Sequence, residues 1–108
     1  MQTEKILMAT SIVATGALSR FRLASFAGAT AVATDAVLGV PNADYAVGER
    51  AGISTHGEIL VEAGAAIAAG AQVQPDAQGR AITLAAGKAW GNARDAATAA
   101  GDIIRVLR

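Results

Sequence analysis

Ile103-Ile104-Arg105-Val106-Leu107, introduced by Gly101-Asp102, is the strongest β signal in the chain. Branched aliphatic residues dominate it, and such side chains fit a pleated, half-buried surface. Working outward from it, glycine and other turn residues recur roughly every eight to twelve positions. That is the spacing of short strands in a sandwich or barrel. The chain therefore reads as all-β: a small β-sandwich or jelly-roll-like barrel of short antiparallel strands, with at most one or two helical turns.

Upstream of Gly101, Asp95 to Ala100 reads as a loop or short helix with Asp95 as a possible N-cap, and Gly87 to Ala93 as a strand. Arg80 to Leu84 pairs with Ala71 to Gln74 across Pro75-Asp76-Ala77-Gln78-Gly79. There Pro presets φ, Asp can bond local backbone, and Gly accepts positive φ. Ala63 to Gly70 is rich in the best helix former, yet spans only about two turns between glycines, too short to stand as an isolated helix. It reads as a compact loop. Ala51 to Thr55 and Glu58 to Glu62 flank His56-Gly57, which reads as a tight hairpin turn. Val37 to Val40 ends at Pro41-Asn42, Thr30 to Thr34 is a short strand, and Leu18 to Ser25 alternates. That alternation sets Phe21, Leu23 and Ser25 on one side, with Arg20, Arg22 and Ala24 on the other. Ile6 to Val13 reads as a first strand. The alternative, a signal-peptide core after Lys5, is opposed by Glu4 and by Thr10 and Ser11 inside the apolar run. With no linker, charge run or exact repeat, residues 1–108 form a single domain in this reading.

Composition narrows the function. Nine basic residues balance nine acidic ones. Nucleic acid would want a basic face and an anionic membrane a polybasic cluster, so neither is expected as a partner. No stretch approaches the ~20 apolar residues of a membrane span. Apolar residues make up 53% of the chain, but twenty-eight are Ala, and Ile, Leu, Val and Phe together number twenty-five. A methyl group buries far less apolar area than a Leu or Ile side chain. The core should be thin, and a partner surface should contribute to stability.

Few residues could carry chemistry. Cysteine is absent and His56 is the sole histidine, so neither a thiolate nor a multi-His metal site is expected. His56 is the one candidate base, beside Ser54 and Thr55. Thr55 would point to the opposite strand face, and a histidine flanked by Gly57 is more simply a surface residue. Glu58 and Glu62 would share a strand face about 13 Å apart, too far for paired acid–base work. They, like Asp95 and Asp102, read as ordinary surface carboxylates. No catalytic residue, cofactor or metal is assigned. Among the aromatics, Phe21 and Phe26 are expected in the core. Tyr45 and Trp90 are candidates for core or interface, and Arg20 and Arg22 for interface or plain solvent-facing charge.

The run "ILVEAGAAIAAGAQVQPDAQGRAITL" (59–84) resembles the middle of the phage capsid cement proteins: strand, Gly/Ala-rich turn, short strand, Asp-x-x-Gly-Arg turn. "AATAAGDIIRVLR" is similar to the closing segment of that family, and "VLGVPNADYAVGERAGI" to an earlier part. The likeness runs from Val37 onward. It implies a β-sandwich or jelly-roll-like domain on the outer surface of an icosahedral head, reached from the host cytoplasm during assembly. There it would bridge neighbouring major capsid proteins as a homo-oligomer, a dimer or trimer, with the homodimer favoured over the homotrimer. The competing reading is a virion or tail surface module that binds a receptor or glycan. A glycan site would want exposed aromatics beside clustered polar groups, which only Tyr45 and Trp90 offer.

Overall fold

The structure, a computed structural model, describes residues 3–108. Eight strands follow in order: β1 (Lys5–Val13), β2 (Ala24–Ser25), β3 (Val37–Pro41), β4 (Arg50–Glu62), β5 (Val73–Pro75), β6 (Ala81–Thr83), β7 (Asn92–Ala93) and β8 (Ile103–Leu107). Their pairings are antiparallel, and no described residue is helical. The chain is all-β.

β4 organises the fold. β1 and β3 both pair with Ile53 and Ser54, so they lie on opposite edges of β4. β1 and β8 both pair with Glu58, so they too lie on opposite edges. β3 and β8 therefore share one edge end to end, and β1 runs along the other. β2 extends the sheet beyond β3 and β7 beyond β8, while β5 and β6 form a separate two-stranded ribbon.

The opening signal behaves as its pattern implies. In β8, Ile104 and Val106 are buried while Ile103, Arg105 and Leu107 are not. Their register partners Val61 and Ile59 are buried on the same face of β4. Fully burying each of these side chains stabilises the fold by about 1.5–3 kcal/mol. They belong to the larger core cluster, which also takes Leu23, Trp90, and Val73 and Ala81 from the β5–β6 ribbon. A smaller cluster of Ala14, Leu18, Ala24, Ala51 and Ile53 sits under the first half of β4. Eight of the alanines lie buried in these two clusters, where a methyl group lets loops and strands approach closely.

The His56-Gly57 hairpin does not form. β4 is one strand of thirteen residues running straight through that dipeptide. Gly57 takes φ +123°, but His56 does not have positive φ, and a I′ reversal needs two such residues in succession. A single left-handed glycine instead makes a bulge. The β1–β4 register is irregular between Ile6 and Ala9, and a Cβ on Gly57 would run into the Lys5 carbonyl oxygen.

Leu18 to Ser25 is likewise not a strand except at its end. Phe21 holds φ +70° and Arg22 N–H donates to Ser19 O at 3.2 Å, so the chain turns there. Thr30 to Thr34 contributes only an isolated bridge to Ala24, and Gly87 to Ala93 shortens to β7. Ala63 to Gly70 is the compact loop its glycines suggest. Ile67 pins it by exchanging two backbone hydrogen bonds with Ala97, at 3.0 and 2.9 Å. Asp95 caps no helix. Asp102 closes the 98–102 turn instead, accepting from Thr98 N–H, Thr98 Oγ1–H and Ala99 N–H.

Candidate interaction surface

Of the four interface candidates, the structure brings Arg20 and Tyr45 together and sends Arg22 and Trp90 elsewhere. Leu18 and Tyr45 exchange backbone hydrogen bonds of 2.9 and 2.8 Å, and Arg20 N–H donates to Asp44 Oδ1 at 2.9 Å. Arg20 is half-exposed, with its guanidinium 4.7 Å above the Phe21 ring and 3.9 Å from Glu4 Oε2. Glu4 is fixed in turn by Leu60 N–H, which donates to Oε1 at 2.9 Å. Tyr45 is half-buried against the smaller core cluster, and its hydroxyl donates to Asn42 Oδ1. Arg20, Phe21, Asp44 and Tyr45 so form one ordered surface of mixed charge and aromatic character.

Arg22 is engaged in a structural clamp. It donates to both Glu62 carboxylate oxygens, at 3.4 and 3.3 Å, and to Gln78 O at 3.0 Å. Arg80 joins the same Glu62 at 3.6 Å and Asp76 at 3.5 Å. Asp76 Oδ1 accepts from Gln78 and Arg80 N–H, the local backbone bonding expected of that turn. Trp90 takes the core alternative. It is 1% exposed, its backbone N–H donates to Val73 O at 2.8 Å, and its indole Nε1–H has no partner among the described residues. Arg108 lies over the ring at 5.9 Å.

The groups considered for catalysis are arranged for holding the chain together. Thr55 Oγ1–H donates to Met8 O at 3.2 Å, so at 3.1 Å from His56 Nδ1 the same oxygen acts as acceptor. The two side chains do meet, contrary to the strand-face expectation. Yet the hydroxyl proton is committed elsewhere, and Ser54 is buried away from the exposed His56. Glu58 pairs with Arg94 at 3.5 Å. Asp95 is gripped by Arg105, whose side-chain hydrogen bonds lower its pKa to about 2, against the smaller opposing effect of burial. A carboxyl so strongly acidic stays ionised at neutral pH and has no proton to give.

Residue patterning missed two features. One is the exposed apolar set: Leu7 is 83% and Phe26 62% exposed, with Ile6, Met8, Val13, Val47 and Leu107 also at the surface. Phe26 was expected in the core. It rides instead on the tight turn from Ser25 to Ala29, closed by Ser25 N–H donating to Ala29 O at 2.8 Å. The other is Gln74, only 4% exposed, whose Oε1 accepts from Ala85 and Gly87 N–H, both at 2.8 Å. A solvent-open depression is lined by Lys5, Leu7, Gly57, Glu58, Leu107 and Arg108.

The chain is thus a small all-β framework with ion pairs at its turns and apolar side chains on its outside. The family model of the phage cement proteins matches residues 1–108, and the chain belongs to that family. The match takes in the first thirty-six residues, where the likeness in sequence was least legible. A search of curated proteins found no match.

Proposed function

We propose that this chain binds the outer surface of an icosahedral phage head and ties neighbouring major capsid proteins together, acting as a homodimer and without catalysis. The observation that carries this reading is the cement-family match along the whole chain. The surface around Arg20, Phe21, Asp44 and Tyr45 supplies an ordered, partly aromatic contact area of the kind interfaces favour. Trp90 lies in the core, so of the two aromatics considered for a glycan platform only Tyr45 reaches the surface, which weighs against the receptor-binding alternative.

A cement that binds the assembled shell but not its dissociated parts stabilises it by mass action, about 2.7 kcal/mol per site at a hundredfold excess over Kd. Repetition over the shell multiplies that small contribution, and a dimer adds effective concentration. The test is to compare purified heads with and without the chain, imaged and then heated. Added density on the outer surface and a higher rupture temperature are expected. Heads that bind no chain, or rupture at an unchanged temperature, refute the reading.

A further inference from the structure

Among the described residues β1 pairs on one edge only, with β4. Ala14 N–H donates to Glu49 O at 2.8 Å, toward β4. Backbone orientation alternates along a strand, so Ile12 and Thr10 also face β4 while Ala9 and Ser11 turn their N–H and C=O away. No described strand occupies that edge. Edges of this kind are normally blunted by charge or proline, yet β1 carries one charge, Lys5, at its far end, and a bulge only between Ile6 and Ala9. It is flanked by the exposed Leu7, Met8 and Val13, and by the turn bearing Phe26, whose Gly28 abuts the Val13 carbonyl oxygen.

We infer that two copies of this chain associate through antiparallel pairing of their β1 edges about a two-fold axis at Thr10. This rests on the homodimer reading above and names its surface. The register is selected by the chain itself. With Thr10 opposite Thr10 of the second copy, Ala9 and Ser11 of each face Ser11 and Ala9 of the other, which brings the outward-facing groups into reciprocal hydrogen-bonded pairs. Thr–Thr is a favourable cross-strand pair. Met8 then falls opposite Ile12, and Leu7 opposite Val13 next to Phe26, so the apolar groups at one end of each strand cover those at the other. The pairing ends there, because Thr15 N–H already donates to Gly28 O of its own chain at 2.9 Å, and no like charges are opposed. Such self-complementarity is what a two-fold interface requires. A capsid segment would have no reason to match this order of residues.

Cysteine replacement reads the geometry directly, because the chain has no cysteine of its own. Residues facing each other in a non-hydrogen-bonded antiparallel pair have Cα atoms about 4.5 Å apart, within disulfide reach. Under mild oxidation, Thr10→Cys should give a covalent dimer, while Ala86→Cys, on an exposed loop, should not. In sedimentation, the wild type should run at twice the 10.8 kDa chain mass. Ser11→Pro, which removes an outward N–H and keeps the backbone bonds to β4 while losing the exposed bond from Arg50 Nη1 to Ser11 Oγ, should run at the single-chain mass with an unchanged circular dichroism spectrum. Leu7→Glu, at a fully solvated side chain, should do the same.

A wild type that sediments as a single chain overturns the inference, whether or not it binds heads. A dimer that survives both Ser11→Pro and Leu7→Glu, with no cross-link at Thr10→Cys, overturns this edge and leaves the dimer reading standing. The expected results together with failure to bind heads would sink the cement reading and leave the β1 pairing intact.

Discussion

Arg105 holds the Asp95 carboxylate with two side-chain hydrogen bonds, Nε to Oδ2 at 2.8 Å and Nη2 to Oδ1 at 2.9 Å, while its own backbone N–H donates to Oδ2 at 3.1 Å. This three-point contact ties the 94–100 loop to β8. Because Asp95 has its pKa lowered from 3.8 to about 2, the ionised form is favoured by folding. The stabilisation is fully present above pH 3.8 and fades as the pH falls toward about 2. Melting temperature followed down through that window should drop more steeply for the wild type than for Asp95→Asn, which should already be less stable at neutral pH. Parallel curves for the two proteins would contradict this.

Gln74→Ala removes the buried acceptor of two backbone N–H groups whose hydrogen bonds are partly shielded from water. The cost expected for leaving such donors unsatisfied is about 1–3 kcal/mol in denaturant unfolding. The local signature is faster amide exchange at Ala85 and Gly87, the two donors, with little change at Val106.

Trp90 is the single tryptophan, and its burial should show as blue-shifted fluorescence that acrylamide quenches poorly. Trp90→Ala should cost about 3–5 kcal/mol. Trp90→Phe should cost clearly less, since it also removes an indole N–H that has no protein partner.

Gly57→Ala tests the bulge in β4. A Cβ at φ +123° is strained and would collide with the Lys5 carbonyl oxygen, so a loss exceeding about 1 kcal/mol is expected. The damage should fall on β1: the inward amides of Thr10 and Ile12 lose protection, while those of β8 keep most of theirs. If Gly57 lay in a free hairpin turn, β1 protection would be unaffected.

Arg20→Ala leaves the fold intact in circular dichroism, because the side chain is half-exposed and only its backbone N–H contacts Asp44. If the Arg20–Tyr45 surface meets the capsid, head binding should weaken about fivefold or more, the effect of losing an anchor worth over 1 kcal/mol. Arg22→Ala should instead lower stability, because its guanidinium joins Glu62 to the 76–80 turn.

Sequence by itself determined that the chain is all-β. It also placed β1, β3, β8 and the β5–β6 ribbon, and read the Ala-rich segment as a loop, because these follow from short-range chemistry: alternation, branched side chains, turn residues. Tertiary structure decided what local pattern leaves open. The positive φ of Gly57 is equally a turn or a bulge until β1 lies beside it. Arg20 and Arg22 separate only because Phe21 adopts a left-handed backbone. Phe26 and Trp90 have similar local surroundings of Ala and Gly, and long-range packing alone sends one to solvent and the other to the core. The apolar outer edge of β1 is of the same kind. Its residues spell a buried strand, and only the pairing order shows that nothing in the described chain covers them.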